Sequence, residues 1–455
     1  MRDELQSMNE ESLMELERDL SEEAQSEEDI LDCLKRTEKG LVKQSIENVV
    51  FVLEHDPLLR GAIRKNELTG RRDIVREMPW KRSTVTLVDT DENYIRLYLE
   101  KHYQLTSMPA ITAGLDICAN NNRFHPIRER LEGLRWDGRE RISHALHHFL
   151  GAADDAYTAE VMKMHMLAAI SRIYEPGCKY DIALCLVGPQ GGGKSTFFRF
   201  LAMDDNWFTD DLRRIDDKRV FEKISGHWII ELSEMSALVT AKCVEEMKSF
   251  LSRQREVYRI AYDKYAADHP RQCVFCGTSN DMKFLPFDRS GNRRFAPVEV
   301  NPALAEVHPM ADEKASRDYI GQMWAEAMVI YRSGDFELTF SKEMEELALE
   351  MQKEFMPEDT EIGPVEEYLE SHHLAQTCVK EIYCRVYAHM PSEKIPQWAS
   401  KEITEVFRRL DWKDIGARKF PEYGSQKAWV PPKKEQDPLL PDGFMGVTDD
   451  KSIPF

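Results

Sequence analysis

A glycine-rich segment that ends in a lysine and two hydroxyl residues is the part of this sequence best suited to chemistry. It runs from Gly188 to Thr196 and fits the phosphate-loop pattern G-x-x-x-x-G-K-[ST]. Glycines let backbone N–H groups turn inward around a phosphate chain, the lysine reaches the β and γ phosphates, and the first hydroxyl ligates Mg²⁺. The segment therefore predicts ATP and Mg²⁺ as cofactors, with Ser195 on the metal. The predicted nucleotide contacts are Gly188, Pro189, Gln190, Gly191, Gly192, Gly193, Lys194, Ser195 and Thr196.

The residues on either side of this segment favour the same interpretation. Residues 182–187 form a short apolar run typical of a buried strand, and the residues from Ser195 onward are typical of a helix. The helix N-terminus would add its dipole to the anion site. The alternative is a glycine-rich turn that matches the pattern by chance, and the strand–loop–helix order disfavours it.

Two glutamates follow a second apolar strand, about thirty residues after the lysine. Glu231 lies near the end of this strand and Glu234 comes three residues later. A carboxylate beside a phosphate loop can hold Mg²⁺ through water, and a second one can orient or deprotonate the attacking water. We predict the first role for Glu231 and the second for Glu234, although the two roles could be exchanged. The alternative is an ordinary strand followed by surface acids.

A third strand and the loop after it supply the remaining candidate catalytic residues. Asn280 ends an apolar strand, where it can hold the attacking water near the γ-phosphate, although asparagine also favours turns. Arg293 and Arg294 follow in a loop. An arginine supplied by a neighbouring subunit can stabilise charge at the γ-phosphate, and Arg293 is the slightly preferred candidate. The alternative is an arginine pair in a surface turn.

A basic segment lies between the acidic strand and the asparagine strand. Residues 248–271 hold six Lys or Arg against three Asp or Glu, with tyrosines interleaved. Basic residues that track phosphates, beside aromatics that stack on bases, are typical of a single-strand binding surface. Taken alone, however, the segment slightly favours an amphipathic hairpin with a solvated face. The DNA-binding candidates are Lys248, Arg253, Arg259, Lys264 and Arg271.

The composition limits the class of protein. A chain of 455 residues with 42% hydrophobic residues is expected to form two or three globular domains. The absence of a long apolar run and of a signal-peptide pattern predicts a cytoplasmic protein with no membrane partner. The nine cysteines form no array, and the single Cys273-x-x-Cys276 pair predicts no metal site. The net charge of −20 is uneven, because residues 1–30 alone carry −10, so a local basic groove remains possible.

The order of these patterns predicts the domain organisation. Residues 156–174 have helical spacing and end before the stop Pro176-Gly177. Short helical stretches at 365–369, 379–387 and 403–410, followed by strand-like segments, are compatible with a winged helix or with a packing domain. The predicted divisions are an acidic disordered head at 1–39, a mixed and mainly helical domain at 40–155, a nucleotide domain at 156–335, a helix and linker at 336–363, a winged-helix-like domain at 364–430, and a flexible acidic tail at 431–455.

The last residues form a possible docking signal. Two aspartates precede Lys451 and Ser452, and the chain closes on Ile453, Pro454 and Phe455. This resembles the acidic tip of bacterial single-stranded-DNA-binding proteins. A terminal phenylalanine can enter an apolar pocket beside a basic residue on a host replication protein. The alternative is an ordinary solvated tail.

Taken together, these motifs resemble the virulence-associated E family, phage and genomic-island proteins related to superfamily-three helicases of the AAA+ class. The resemblance covers residues 40–300 and, more loosely, 315–430. The motifs that carry it, besides the phosphate loop, lie at 123–127, 134–138, 174–179, 228–234, 248–253, 277–280 and 291–295.

The resemblance implies an α/β fold with an AAA+ P-loop NTPase core, which is a parallel sheet flanked by helices. A helical N-terminal region and a small C-terminal winged-helix-like domain would flank this core. It further implies an ATP-dependent DNA helicase that acts as a hexameric ring in phage or mobile-element replication, inside a bacterial or phage-infected cell. Single-stranded DNA would pass through a central pore lined by the 248–271 hairpin.

Two features depart from the family pattern. Residues 1–150 lack paired carboxylates of the primase kind, so any primase is expected on a separate chain. The acidic strand ends Glu-x-x-Glu rather than in adjacent acids, so the identity of the base stays open. The rival functions are a replication initiator or loader that does not translocate, and a P-loop kinase of small molecules.

Overall fold

The computed structural model describes residues 27–212, 220–235, 244–258, 267–285, 292–356, 362–372 and 374–432. The chain divides into two compact units, residues 1–357 and residues 358–455. The first unit contains the phosphate loop. In the described part of the chain, every helix is too short or too polar to cross a membrane. The predicted Ile-Pro-Phe end of the tail lies outside the described residues.

The first unit begins with helices around a small three-stranded sheet. These elements share one apolar core, and two residues of that core come from the predicted head: Ile30 and Leu34 are 0% and 4% exposed. The disordered head predicted over 1–39 is therefore too long, since its last part packs against the domain. The elements are α1 (Glu27–Cys33), α2 (Ile46–His55), β1 (Ile63–Asn66), β2 (Arg72–Ile74), α3 (Asp89–Tyr103), α4 (Met108–Asn121) and β3 (Arg123–Phe124).

Three helices follow, α5 (Pro126–Glu132), α6 (Ala145–Leu150) and α7 (Ala156–Tyr174). The helix predicted over 156–174 is confirmed at both ends. Asp155 caps its N-terminus by accepting a hydrogen bond from the Thr158 N–H, and the helix ends two residues before Pro176. Helix α7 is buried along most of its length and lies against the central sheet.

The predicted nucleotide module follows in the sequence. Its described elements are β4 (Ala183–Val187), α8 (Lys194–Leu201), β5 (Phe208–Thr209), α9 (Val220–Ile224), β6 (Ile229–Leu232), α10 (Val244–Ser252), β7 (Arg255–Tyr258), β8 (Ala267–Pro270), β9 (Val274–Ser279), β10 (Phe295–Glu299), α11 (Glu313–Ser333) and α12 (Lys342–Glu354). Five of these strands form a parallel sheet with order β10–β4–β9–β6–β5. A parallel sheet flanked by helices agrees with the sequence-based prediction. A separate antiparallel hairpin, β7–β8, lies between β6 and β9 in the sequence.

Both faces of this sheet are covered, which explains why its strands are continuous apolar runs rather than alternating ones. Along β4, Leu184 and Leu186 join the core that contains α7, α8 and α11. Their neighbours Cys185 and Val187 point to the opposite face and join a second core with α10. The sheet is thus held rigidly between two apolar layers, and the strand ends that carry polar residues are fixed in place.

The described part of the second unit contains three helices and three strands. The elements are α13 (Ile362–His372), β11 (Thr377–Cys378), α14 (Val379–Arg385), α15 (Gln397–Arg409), β12 (Lys413–Phe420) and β13 (Gly424–Val430). The strands form a small antiparallel sheet with order β11–β13–β12, in which β12 and β13 are a hairpin around residues 421–423. The helices predicted near 365–369, 379–387 and 403–410 are confirmed, and the first and third begin before the predicted stretches.

Candidate functional site

The glycine-rich loop connects β4 to α8 and turns tightly against a second loop. Gly193 has a φ of +81°, a conformation that side chains rarely adopt. A Cβ at Gly193 would lie 2.9 Å from Pro309, and one at Gly192 would lie 2.8 Å from Pro302. The loop after β10, residues 300–311, therefore leans on the phosphate loop. Glycine is needed here both for the turn and for this close approach.

The lysine of the loop points inward. Lys194 is 6% exposed, and its Nζ donates hydrogen bonds to the carbonyl oxygens of Gly188 (2.7 Å) and Pro189 (2.8 Å) and to Oδ1 of Asn280 (3.0 Å). Burial lowers the pKa of Lys194, while the charge of Glu231 opposes that shift. The ammonium group is held by weak neutral acceptors, which a phosphate anion can replace.

Glu231 lies at the centre of a hydroxyl cluster. It is fully buried, and its Oε1 accepts hydrogen bonds from Thr278 (2.6 Å), Ser195 (2.8 Å) and Ser233 (3.3 Å). Its other oxygen, Oε2, has no hydrogen-bond partner among the residues that the structure describes. Burial raises the pKa of Glu231, although the hydrogen bonds from Thr278 and Ser195 act in the opposite direction. A buried carboxylate with one unpartnered oxygen favours a cation beside it.

The strand order brings these residues together. Strand β9 lies between β4 and β6, so Asn280, just after β9, sits between the phosphate loop and Glu231. In open parallel sheets, ligands bind outside the carboxyl ends of the strands. A cavity of about 350 Å³ lies at this edge, and its wall also includes Gln190 and Glu234. The exposed Glu234 has a φ of +54°, which is uncommon for a side-chain-bearing residue and often marks a functional site.

The structure adds two hydroxyl residues that the sequence reasoning missed. Thr278 and Ser233 both contact Glu231 and line the cavity. The missing signal was strand pairing: β6 and β9 are adjacent, with Glu231 opposite Cys276, so Thr278 comes within reach two residues further along. The pairing of two strands more than forty residues apart cannot be deduced from motif spacing.

The two arginines are placed differently from each other. Arg294 Nε lies 3.2 Å from Asp181 Oδ2 and donates a 2.8 Å hydrogen bond to Ser252 Oγ, and its side chain is 21% exposed. The Arg293 side chain is 68% exposed and lies 3.8 Å from the same carboxylate. Both precede β10, whose first residue, Phe295, pairs with Ala183 at the start of β4. They therefore lie at the amino-terminal ends of these parallel strands, whereas the phosphate loop of the same chain lies at the carboxyl ends.

The basic segment does not form a single exposed surface. Lys248 and Arg271 are each 3% exposed, so neither presents its charge to solvent. By contrast, the Arg253 side chain is 44% exposed and lies 3.7 Å from Glu256. Arg259 and Lys264 lie outside the described residues. Lys248 and Arg271 cannot contact DNA in this conformation, because both side chains are buried.

Arg271 holds the base of the β7–β8 hairpin. Its Nε and Nη2 donate to Glu256 Oε1 at 2.9 Å and 2.5 Å, its Nη1 donates to the Leu251 carbonyl at 3.3 Å, and Glu256 is itself buried. The guanidinium also lies over the rings of Phe250 and Phe275. The charge count along the sequence could not detect this pair, since Glu256 lies on β7 and Arg271 comes directly after β8.

Arg271→Ala is expected to lower the free energy of unfolding by about 3 kcal/mol, because it removes the buried counter-charge of Glu256 and leaves only the partly exposed Arg253, 3.7 Å away. Arg255→Ala is the matched control in the same hairpin: its side chain is 67% exposed and pairs at 3.6 Å with Asp268 on the surface. We expect a change of no more than about 0.5 kcal/mol for this control. Urea denaturation of the full chain measures both, and equal effects would contradict the structural role of Arg271.

Comparisons with known proteins agree with the position of this site. Residues 131–357 match the model of the virulence-associated protein E-like domain, and this range contains the phosphate loop and every residue of the cavity wall. No curated protein matches the chain.

Among solved structures, an apo structure of the NrS-1 C-terminal region aligns with a TM-score of 0.48 and 14% identity, covering 81% of this chain and 96% of that one. An A form apo structure of the same region aligns with a TM-score of 0.49 and 12% identity, covering 86% and 100%. At such low identity and TM-score, the likeness assigns no activity to this chain.

Proposed function

We propose that this chain, which belongs to the virulence-associated protein E-like family through residues 131–357, is a Mg²⁺-dependent ATPase. The energy of hydrolysis would drive the protein along DNA as a ring-shaped helicase. The observation that carries the proposal is the convergence of Lys194, Ser195, Glu231 and Asn280 around one cavity. This cavity would bind a nucleoside triphosphate, with a cation beside its phosphates. The replication of a phage or mobile element is the setting that the family suggests.

The donor set fits Mg²⁺. The Ser195 hydroxyl is 2.8 Å from Glu231 Oε1, so both oxygens can share one cation, directly or through water. The unpartnered Glu231 Oε2 supplies the negative charge that such an ion would neutralise. When bound, Mg²⁺ would offset charge on the β and γ phosphates. Lys194 would leave its carbonyl acceptors for the same phosphates, while the loop N–H groups would hold the phosphate chain.

The rim of the cavity supplies candidates for water activation. Glu234 is exposed on the cavity wall. It would be close to the γ-phosphate of a nucleotide whose phosphate chain lies along the phosphate loop. Its carboxylate is suited to orient or accept a proton from the attacking water. Asn280, already in contact with Lys194, would fix that water through its amide. We assign Glu231 to the metal and Glu234 to the water because only the first is buried among hydroxyl donors.

The position of Arg293 supports a shared site between subunits. It is separated from its own phosphate loop by the length of β10, which is about 17 Å for five residues at ~3.3 Å each. A side chain cannot cover that distance. Because the Arg293 side chain is 68% exposed, it is available to a neighbouring molecule. We therefore propose a ring in which Arg293 completes the nucleotide site of the neighbouring subunit. The position of β9 between β4 and β6 supports an AAA+ core for the subunits of this ring. A hexamer is the expected size.

Two features are proposed as DNA contacts. The first is the β7–β8 hairpin; residues 259–266, between its two strands in the sequence, lie outside the described residues. In a ring, such hairpins would face a pore and touch the backbone of a single strand. The second feature is residues 362–430, three helices with an antiparallel hairpin, which we propose to be a winged helix. Along β12 of this unit, Lys413, Arg418 and Lys419 are all exposed.

The remaining partner assignments are proposals that follow from the sequence. A separate primase and host replication proteins would complete the replication machinery. Ile453, Pro454 and Phe455, which lie outside the described residues, would dock on one of the host proteins. A bacterial or phage-infected cytoplasm is the expected location.

The decisive experiment is strand displacement on a forked DNA with ATP and Mg²⁺. We expect the wild type to displace the strand and to hydrolyse ATP faster when DNA is present, and Lys194→Ala to do neither. Lys314→Ala, which removes a lysine whose side chain is 89% exposed on α11, is the matched control and should behave as wild type. Unwinding by Lys194→Ala would overturn the proposal. Hydrolysis without unwinding would favour the initiator or loader, and a monomer that phosphorylates a small molecule would favour the kinase.

A further inference from the structure

A second cluster of chemically capable side chains lies apart from the nucleotide cavity. His144 is the residue just before α6, and His148 follows one turn later. Residues at i and i+4 lie on the same helix face, which is the spacing that places two imidazoles on one metal ion. Glu306, from the loop after β10, completes the cluster. The donor atoms of these three residues all lie within 4.8 Å of one another.

The contacts within the cluster match a preformed cation site. His144 Nε2 lies 3.2 Å from Glu306 Oε1, and His148 Nδ1 lies 2.6 Å from Glu306 Oε2. The other ring nitrogen of His144, Nδ1, lies 3.0 Å from Asp154 Oδ2. A carboxylate that accepts from one imidazole nitrogen fixes the tautomer and leaves the other nitrogen as a ligand. His144 is thus oriented with Nε2 toward Glu306. His148 is held by stacking on Tyr319, 4.6 Å between ring centroids.

We propose that His144, His148 and Glu306 bind a divalent transition-metal ion of the zinc class. Two imidazoles and one carboxylate suit Zn²⁺, Co²⁺ or Ni²⁺ rather than Mg²⁺ or Ca²⁺, which prefer oxygen ligands alone. The three side chains occupy three positions, and water would take the fourth. The side chains of His144 and Glu306 are 37% and 48% exposed, so an ion can enter from solvent.

The ion would link two segments that are far apart in the sequence. The backbone already joins them, since the Val307 N–H donates to the His148 carbonyl at 3.0 Å. Glu306 belongs to the loop over 300–311, and Pro302 and Pro309 of that loop press on Gly192 and Gly193 of the phosphate loop. A metal held by Glu306 would therefore clamp the loop that supports the nucleotide site. The inference concerns binding and stability, so it does not depend on the proposed ATPase activity.

The test is a Co²⁺ titration of the untagged, chelator-treated full chain, followed by absorbance and calorimetry. We expect one ion per chain, with an affinity on the order of 1 µM or tighter. His148→Ala and Glu306→Gln should each weaken the affinity for Co²⁺ at least about tenfold. Asp154→Asn should weaken this affinity about tenfold, because it removes the hydrogen bond that orients His144. His372→Ala, an exposed histidine of the second unit, is the control and should bind as wild type. Zn²⁺ should raise the thermal midpoint of the wild type and of His372→Ala more than that of the three site variants.

Three results would overturn the inference. They are the absence of stoichiometric binding to the wild type, unchanged affinity in Glu306→Gln, and a thiolate charge-transfer band that would place the ion on cysteines. If His148→Ala fails to fold, Glu306→Gln and Asp154→Asn still decide the question. Both substitutions preserve shape at side chains that are about half exposed.

Discussion

Glu231→Gln is expected to lower the rate of ATP hydrolysis at least ~100-fold while leaving the fold intact. The substitution keeps the shape of the side chain and its contacts with the hydroxyls of Ser195 and Thr278, but it removes the charge that would hold Mg²⁺. Nucleotide affinity should consequently lose most of its dependence on Mg²⁺. Hydrolysis assays and nucleotide titrations with and without Mg²⁺ measure both effects.

The stability of the metal-free Glu231→Gln variant tests independently whether the charge of Glu231 opposes folding. Burial raises the pKa of Glu231 above its ordinary value, so folding disfavours its ionised form. A carboxyl group of this kind contributes stability below its unfolded pKa and loses it as the pH rises through its folded pKa. As the pH rises above this range, the ionised group therefore opposes folding. We expect Glu231→Gln to unfold at the same or a higher urea concentration than the wild type when Mg²⁺ is absent.

Glu234→Gln is the matched variant on the rim of the same cavity. Its side chain is exposed, so the substitution should slow hydrolysis while nucleotide binding keeps its response to Mg²⁺. If instead Glu231→Gln hydrolysed ATP at nearly the wild-type rate, the metal role would be wrong. If the two variants exchanged their behaviours, the roles of the two glutamates would be exchanged as well.

Local patterns in the sequence were sufficient for the elements that position this site. Strand β4 is a continuous apolar run because both its faces are buried, and α7 lies between two residues whose chemistry favours helix ends, Asp155 and Pro176. The glycine spacing marked the phosphate loop for an equally local reason. In each case the relevant physics acts between residues close in the chain, so the motif alone contains the information.

The features that sequence reasoning missed depend on contacts between distant residues. The burial of Arg271 follows from Glu256 on β7, and the net charge of the segment contains no trace of that pairing. Glu306 meets His148 across 158 residues. At Ile30 the prediction was wrong in the opposite direction. The high charge of the surrounding residues predicted disorder, but Ile30 packs into the apolar core of the domain. Composition describes a segment, whereas burial is decided by what folds against it.

Arg293→Ala is expected to abolish ATP hydrolysis by the assembled ring, with a loss on the order of 10³-fold or more, while nucleotide binding is retained. The reason is geometric. Arg293 lies at the sheet edge opposite its own phosphate loop, with an exposed side chain, so only a neighbouring subunit's γ-phosphate is within its reach. ATP hydrolysis, nucleotide binding and size-exclusion chromatography with ATP are the measurements, and Arg293→Ala should still assemble.

Mixing Arg293→Ala with Lys194→Ala separates this role from a structural one. A ring contains head-to-tail interfaces, each joining the loop of one subunit to the arginine of the next. In an equal mixture, half of the loops and half of the arginines are intact, so about one quarter of the interfaces, one half times one half, recover both. The mixture should regain up to about that fraction of wild-type ATPase activity, although each variant alone is inactive.

Glu231→Gln is the control for this complementation. Glu231 and Lys194 both lie on the phosphate-loop side of the site, since Glu231 accepts a hydrogen bond from Ser195, the neighbour of Lys194. No interface in a mixture of Glu231→Gln with Lys194→Ala therefore has an intact phosphate-loop side, and this mixture should stay as inactive as its components. If the Arg293→Ala mixture stayed inactive while the rings still assembled, the arginine would not act across the interface. Because a defect within one subunit cannot be repaired by another inactive subunit, recovered activity would itself require a site built from two chains.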